Sequence, residues 1–204
     1  MAKLKVKRKS TWIDMTAMSD VTVLLLTFFI LTSTFIKKEP VQVTTPGSVS
    51  EIQIPETNLL TILVDKEGRT FLSLDNQNHQ AELLRKVGGE KGIEFTPEEI
   101  YQFSLLPTIG VPVREISSFL KLSDEDRDKR MLARGGVPTD SINNEFKLWV
   151  RQARLIVRKD LKLAIKADQA TPYPMIKNIM GSLQEIRENQ FNLLTSLKAG
   201  ADAE

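Results

Sequence analysis

Asp20 is the only charged residue in an apolar stretch that covers residues 15–36. In a helix, Thr16, Thr27 and Thr34 lie on the same face as Asp20, because Asp20, Thr27 and Thr34 are seven residues apart and Thr16 stands about one turn earlier. Apolar surroundings favour the neutral acid, and hydroxyl groups can hold water beside it. We therefore predict that Asp20 carries protons and that the three threonines support it.

A second interpretation of Asp20 depends on its depth. Asp20 stands only a few residues into the apolar stretch, so it can also be placed at the level of the lipid headgroups and be simply solvated, as we expect for Asp14. A charge inside a bilayer costs several kcal/mol unless it faces water or a partner. The two interpretations therefore differ in what surrounds one carboxylate.

The length of the stretch predicts a membrane span. At about 1.5 Å per residue a helix over residues 15–36 covers roughly 33 Å, and a bilayer core is about 30 Å thick. Leu25, Phe28, Phe29 and Phe35 lie mostly away from the Asp20 face and suit lipid or the walls of a protein sleeve. A cleaved secretory signal has a shorter apolar core without a carboxylate, so we predict an uncleaved anchor.

The flanking charges predict the orientation of this span. The first twelve residues contain basic side chains and no acid, whereas Lys37 and Lys38 after the span are partly balanced by Glu39. The more basic side stays in the cytoplasm. We therefore expect a single-pass protein, in contact with membrane lipid, whose N-terminus is cytoplasmic and whose C-terminal domain lies on the other side of the membrane.

The segment around Asp20 resembles the entry helix of the ExbD/TolR family of biopolymer-transport proteins, whose pattern is approximately N-V-T-P-h-h-D-V, with h an apolar residue, before a leucine-rich span. Departures from that pattern are Asp14 in place of asparagine, Ala17 in place of proline and Ser19 in place of an apolar residue. The matching residues are Ile13, Met15, Thr16, Met18, Asp20 and Val21.

The resemblance implies a partner and a role. In that family the aspartate carries protons within a ring formed by a larger, multi-span membrane protein, ExbB or TolQ, and two copies of the chain form a homodimer inside the ring. It also implies that the chain lies in the cell inner membrane with its C-terminal domain in the periplasm, and that a periplasmic transducer such as a TonB-like protein is a partner. The resemblance is strong over about the first forty residues and weaker beyond them.

Composition limits the other classes of function. The chain has 204 residues, a formal net charge of +2 and no cysteine. Since the positive excess lies in the N-terminal tail, it gives no indication of nucleic-acid binding. The absence of cysteine excludes disulfides and zinc-thiolate sites, and it is compatible with a periplasmic location.

The predicted fold is a single transmembrane helix plus a small α+β periplasmic domain, built as hairpin and helix, then strand, helix and strand, with a helical insertion. The predicted regions are a cytoplasmic basic tail (1–14), the transmembrane helix (15–36), an extended periplasmic linker (37–58), the α+β domain (59–197) with its insertion at about 90–140, and a disordered tail (198–204). The insertion is either a binding surface for a partner or structural filler.

The linker also has two interpretations. Its prolines, glycine and hydroxyl residues predict an extended tether that buries little. Its alternation, with Val41 and Val43 and then Ile52 and Ile54, is also compatible with an edge strand that pairs with a partner or with a second copy.

Patterning in the remaining chain predicts individual elements. A hairpin over 59–64 and 69–74 is followed by a helix from Asn78 to Val87 that ends at Gly88-Gly89. Helices are then predicted to start at Thr96 and Ser123, with another over 114–122 and one from 141 whose buried face includes Phe146, Trp149, Val150 and Ala153. A strand over 161–165, a helix over 175–188 and a strand over 191–197 follow, and Asp168 is assigned a structural role at a turn.

Enzymatic chemistry has little support in the sequence. His79 is the only histidine and lies in a polar context typical of a surface residue. Nucleophile-elbow, P-loop, dinucleotide-binding and EF-hand patterns are absent, so we predict no catalytic residue, no metal site and no cofactor.

The leading hypothesis is a proton-conducting subunit of an inner-membrane motor that couples the proton motive force to a TonB-like protein for outer-membrane transport. The alternatives are a TolR-like subunit for envelope integrity, working through a Tol-Pal-like branch, and a non-conducting anchored module for binding or scaffolding. A flagellar-type stator is a third possibility, but its peptidoglycan-binding signature is absent. One carboxylate does not distinguish protons from sodium ions.

Overall fold

The computed structural model describes residues 15–33, 43–45, 47–48, 57–140, 143–194 and 196–197. The chain divides into two compact units, Met1–Lys37 and Lys38–Glu204. The predictions for the basic tail, for Thr34, for Val41, Ile52 and Ile54, and for the C-terminal tail lie outside the described residues.

In the first unit, the described residues form one helix, α1 (Met15–Thr32, 18 residues). It is apolar around its whole circumference, and none of its residues is buried. Its length and composition are those of a membrane span. At about 1.5 Å per residue α1 is roughly 27 Å long. Helix α1 covers Met15–Thr32 of the predicted span of residues 15–36. The neighbouring residues up to 14 and from 34 onwards lie outside the described residues.

The second unit is an α+β domain with a four-stranded sheet in the order β3-β2-β4-β5. The hairpin prediction is confirmed, because β2 (Leu59–Val64) and β3 (Thr70–Leu74) are antiparallel neighbours. Strand β4 (Lys162–Ala167) pairs in parallel with β2, and β5 (Phe191–Leu194) pairs in parallel with β4. A separate short pair joins β1 (Gly47–Ser48) to β6 (Ser196–Leu197), also in parallel.

In the described part of the domain, six helices contribute side chains to one hydrophobic core with this sheet. They are α2 (Gln77–Lys91), α3 (Pro97–Leu105), α4 (Ile116–Leu120), α5 (Asp124–Arg134), α6 (Glu145–Val157) and α7 (Tyr173–Glu185). Single 3-10 turns precede α4 at Val113–Glu115 and follow α6 at Arg158–Asp160. The α6 face is confirmed, since the four residues predicted to be buried on it are each 0% exposed.

Helix α2 is longer than predicted. It continues through Gly88 and Gly89 to Lys91 and is capped by Gly92, which has a left-handed backbone (φ 68°). The N–H of Gly92 donates to the carbonyls of Gly88 and Gly89. Gly88 is needed for close packing, because a Cβ added there would lie 2.6 Å from the carbonyl oxygen of Ile93. The two glycines therefore do not terminate the helix, and the prediction that they do is wrong.

The predicted insertion fills the core of the domain. Phe103 and Phe119, which it contributes, are each 1% exposed, and Phe103 stacks on Trp149 with ring centroids 5.9 Å apart. The same segment covers the outer edge of β3, because Ile109 and Leu72 exchange backbone hydrogen bonds of 2.9 and 2.6 Å. Burial of this extent supports the structural interpretation of the segment.

Smaller differences concern His79 and α7. His79 is half-buried, and its Nδ1 is enclosed without a hydrogen-bond partner in the part of the chain that the structure describes, so the surface prediction is wrong. Helix α7 begins at Tyr173 and ends at Glu185, earlier at both ends than predicted. Its early start is compatible with Pro174 in the first turn, because backbone N–H groups there have no acceptor within the helix and proline has no N–H.

Candidate functional site

Asp20 is the sixth residue of α1 and is exposed on the helix surface. By helical rise it lies roughly 8 Å from the first residue of α1 and about 18 Å from the last. Among the described residues, no group donates a hydrogen bond to its carboxylate. A carboxylate on an otherwise uncharged, apolar helix therefore has to obtain its polar surroundings from another chain or from water.

The hydroxyl groups of α1 are bonded to the helix backbone. The Oγ1 of Thr27 donates to the carbonyl of Leu24 at 2.9 Å, and Thr22 and Thr32 donate in the same way at 2.8 Å. Such bonds satisfy the hydroxyl proton inside the helix and leave the oxygen lone pairs available. Thr27 can therefore accept a hydrogen bond from water or from a neutral carboxyl group, but its proton is already used.

Thr16 and Thr27 flank Asp20 along one face. Thr16 is one turn before Asp20 and Thr27 is about two turns after it, roughly 10.5 Å along the axis. A direct hydrogen bond spans only about 3 Å, so Thr27 and Asp20 can communicate only through intervening water. Thr34, the fourth predicted member of the face, lies outside the described residues.

The first described part of the linker is fastened to the domain. The backbone N–H of Thr44 donates to Oδ2 of Asp168 at 3.0 Å, and the N–H of Gln169 donates to the carbonyl of Thr44 at 2.8 Å. Val43 packs against the core, and the short strand β1 follows. The linker thus contacts the end of β4 and pairs with β6 of the same chain, a pairing within one chain that neither interpretation of the linker included.

Asp168 has the structural role that the sequence predicts. Its Oδ1 accepts the N–H of Ala170 at 2.9 Å, which closes the turn after β4, while Oδ2 holds Thr44. One carboxylate therefore fixes both the turn and the linker. The sequence predicted the turn, but the linker contact joins residues 124 positions apart and has no local signal.

A second group of polar residues was missed by sequence reasoning. Asp65, 5% exposed, binds Arg69 through Oδ2, with 2.6 Å to both Nε and Nη2, and Arg69 Nη1 reaches the carbonyl of Leu132 at 2.6 Å. Thr171 donates to the carbonyl of Asp65 at 2.9 Å. The hairpin turn is therefore tied to α5 and to the loop before α7. These contacts hold the domain together and form no catalytic arrangement.

Metal chemistry has no visible basis in the described ranges. They contain no group of three or more histidine, aspartate or glutamate side chains placed to hold a metal ion. Among the titratable groups that the structure describes, Glu99, which closes the capping box of α3, has a displaced pKa. The backbone N–H of Thr96 lowers the pKa of Glu99, with smaller contributions in the same direction from Ser117, Thr96 and Lys121 side chains.

Comparison with protein families identifies the N-terminal half of the chain. Residues 6–106 match the family model described as biopolymer transport protein ExbD/TolR. The match includes α1, the linker, the hairpin, α2 and α3, so it extends into the segment that we predicted to be an insertion. Comparison with curated proteins and with solved structures gave no match.

The family match agrees with the structure of both units. An apolar helix with the properties of a membrane span precedes a small α+β domain, and the matched residues include Asp20 and the linker contact at Thr44. Members of this family are transport accessory proteins of the inner membrane that work in complexes with ExbB/TolQ-like proteins. By this match, residues 6–106 place the chain in the ExbD/TolR family of energy-transducing subunits of biopolymer transport.

Proposed function

We propose that this chain is the proton-carrying subunit of an inner-membrane motor and that Asp20 is the group that carries the proton. The observation that carries the proposal is the position of Asp20, an exposed carboxylate that is the only charge in α1. An ionised carboxylate at membrane depth costs several kcal/mol, so protonation changes the free energy of placing this helix in an apolar environment.

A single helix cannot enclose a path for ions, so the other wall has to come from a ring partner. The surface of α1 fits this requirement, because large apolar side chains such as Phe28 (60% exposed) and Phe29 (62% exposed) are not covered by the described residues of this chain. We propose an ExbB/TolQ-like multi-span protein in that role, around two copies of the chain. Two Asp20 carboxylates brought close together would titrate as a pair, with one held neutral.

Movement of α1 would reach the domain through the linker. Thr44 is bonded to Asp168 at the end of β4, and β1 pairs with β6, so tension on the linker acts on the central sheet at the end of β4 and on the separate β1–β6 pair. We propose that the N-terminus is cytoplasmic, that the domain is periplasmic, and that a TonB-like protein receives the motion. In a TolR-like system the same motion would serve envelope integrity.

The test is Asp20→Asn in the full chain, produced together with its ring partner. This change keeps the side-chain size and removes titration, so we expect energised outer-membrane uptake and proton flux to fall to background at a normal membrane level. Asp14→Asn is the matched control and should keep full activity. Full uptake by Asp20→Asn at a normal membrane level would contradict the proposal and favour a non-conducting anchor.

A second pair of variants examines the hydroxyl face. Thr27→Val and Thr22→Val each remove a hydroxyl that donates to the backbone, but only Thr27 shares the Asp20 face. If Thr27 holds water for proton transfer, Thr27→Val lowers proton flux several-fold while Thr22→Val does not. Equal rates for the two variants would remove Thr27 from the path.

A further inference from the structure

A basic groove lies where the parallel strands β4 and β5 begin. It forms between the chain that leaves α6 and the chain that leaves α7, and its volume is about 900 Å³. A second cavity of about 340 Å³ adjoins it and adds Lys162. We define the basic groove by the residues that the argument uses, which are Arg154, Arg158, Lys159, Arg187, Glu188 and Gln190.

One cation of the groove is already neutralised. Arg154 binds Glu188 in a bidentate pair, with Nε to Oε1 at 2.7 Å and Nη2 to Oε2 at 2.5 Å. Its Nη1 also donates to the carbonyls of Arg158 and Leu161, at 2.9 Å each. Arg154 therefore joins the ends of α6 and α7 and builds the wall of the groove.

The other cations have no acidic partner in the described part of the chain. Arg158, Lys159 and Arg187 line the groove, Lys162 lines the adjoining cavity, and all four are exposed. The C-terminal ends of α6 and α7 each carry roughly −0.5 of an elementary charge, about −1 together. Even with exposed Asp160 on the same turn, this leaves the region net positive by about +2.

The backbone indicates that two of these cations serve something other than folding. Arg158 has φ 61° and ψ −133°, and Arg187 has φ 64°. Glycine adopts such conformations at the lowest cost, and both arginines stand at helix ends where glycine is the common residue. Backbone strain of this kind concentrates at ligand-binding positions. Asn58, the third non-glycine residue with positive φ among those described, immediately precedes β2.

The shape and chemistry of the groove determine what it can bind. Its free cations come from two separate loops and from the start of β4, and they are more numerous than one carboxylate or phosphate requires. Asn189 and Gln190 supply amide donors and acceptors that match a peptide backbone, and Leu155, 58% exposed, adds one apolar contact.

We propose that the basic groove binds an extended acidic segment of a partner protein, with several carboxylates facing Arg158, Lys159 and Arg187. An apolar side chain of the segment packs on Leu155. Because all the cations are exposed, binding is salt-dependent, and the attraction is screened beyond about 8 Å at physiological ionic strength. The site is in the domain and does not depend on proton transfer by Asp20.

The test uses the full chain in a non-ionic detergent and a fluorescein-labelled peptide that alternates glutamate with leucine and glycine. The control peptide has glutamine at every glutamate position. We expect the glutamate peptide to bind at least tenfold more tightly, measured by fluorescence anisotropy, and to lose most of this advantage at high salt. Equal binding of the two peptides would overturn the proposal.

Variants assign the binding to the groove. Arg158→Gln with Arg187→Gln should weaken peptide binding at least tenfold, whereas Arg85→Gln with Lys177→Gln, which removes the same charge from exposed positions on α2 and α7, should weaken it less than twofold. A loss of the same size in both double variants would show non-specific attraction and overturn the proposal.

Two further measurements separate binding from folding and from other ligands. Arg158→Gly with Arg187→Gly should abolish peptide binding without lowering the unfolding temperature, because glycine accepts positive φ. Asp20→Asn should bind the peptide normally, so that failure of proton transfer and failure of the groove can be told apart. Binding of a soluble short-chain phosphatidylglycerol without binding of the acidic peptide would identify a headgroup site and overturn the proposal.

Discussion

Helices α1 and α6 both carry large apolar side chains, but only α6 buries them within this chain. Phe146, Trp149, Val150 and Ala153 of α6 are fully enclosed, whereas no residue of α1 is buried. Helix α6 has polar residues on its other face, and α1 has apolar residues all round. The difference teaches that the domain is stabilised by its own core, while α1 depends on lipid or a partner protein for its apolar contacts.

The sharpest test of this comparison uses the same change in both helices. Phe146→Ala should lower the free energy of unfolding of the domain by about 3–5 kcal/mol, because it leaves a cavity in a packed core. Phe28→Ala should leave domain unfolding unchanged, since Phe28 is 60% exposed in α1. Denaturant unfolding followed by tryptophan fluorescence measures both, and a similar loss in the two variants would contradict the separation of roles.

A charge introduced at an exposed apolar position should affect α1 and leave the domain unaffected. Leu25→Arg places a cation near the centre of α1 and should disfavour membrane insertion by about 3 kcal/mol. Leu132→Arg changes a side chain that is 53% exposed on α5 and should insert normally. Membrane fractionation gives the result, and normal insertion of Leu25→Arg would indicate that α1 does not span the bilayer.

The two units also differ in the surroundings of one carboxylate in each. Glu145, 2% exposed, accepts the N–H of Val113 at 2.9 Å and lies 3.5 Å from Lys91 Nζ, whereas Asp20 is exposed on α1. Glu145→Ala strands a buried N–H, so we expect a loss of about 1–3 kcal/mol in domain stability. Glu145→Gln retains an acceptor and should lose less. Asp20→Asn should lose none, and thermal unfolding of the three variants checks this order.

The smallest expected effect concerns the helix starts. Helix α3 has a full capping box, in which Glu99 Oε2 accepts the Thr96 N–H at 2.9 Å and Thr96 Oγ1 accepts the Glu99 N–H at 3.3 Å, whereas α1 has no acid in its first turn. Thr96→Ala should lower domain stability by about 1 kcal/mol, as measured by denaturant unfolding. An unchanged midpoint would show that the box adds nothing to the packed helix.

The lowered pKa of Glu99 also predicts a pH dependence. A carboxylate whose pKa is lower in the folded state stabilises the fold above its unfolded-state pKa, near 4.3, and loses that contribution as pH falls through the folded-state value. Glu99→Gln should therefore be less stable than the native chain at neutral pH, and the difference should shrink towards pH 3. A difference that persists in acid would assign the effect to packing.

Local signals in the sequence predicted much of the fold. The hairpin follows from alternation around a glycine-containing turn, and α3 follows from Thr96, Pro97 and Glu99. The buried face of α6 follows from its periodicity. Asp20 was identified for a similar reason, because one carboxylate in an apolar stretch is visible without any knowledge of tertiary structure.

The remaining features depend on contacts between distant residues. The sequence pattern indicates a helix end at Gly88, but α2 continues through this residue. A glycine is required there because the carbonyl oxygen of Ile93 approaches too closely for a Cβ atom. Arg158 and Arg187 meet in one groove only because β4 and β5 pair in parallel. In the complex that we propose, the wall around Asp20 belongs to another protein, so neither the sequence nor the fold of this chain contains it.

The covering of strand β3 by residues from the following helical segment has a consequence for assembly. The backbone N–H and carbonyl of Leu72 are both hydrogen-bonded to Ile109, and the N–H of Val137 donates to the carbonyl of Thr70. Growth of the sheet is therefore blocked on that flank, and the opposite flank at β5 is where another strand can be added. Among the described residues β5 is the other edge strand of this four-stranded sheet, so association of two copies through its edges joins β5 to β5, stops at a pair and does not extend into a fibre.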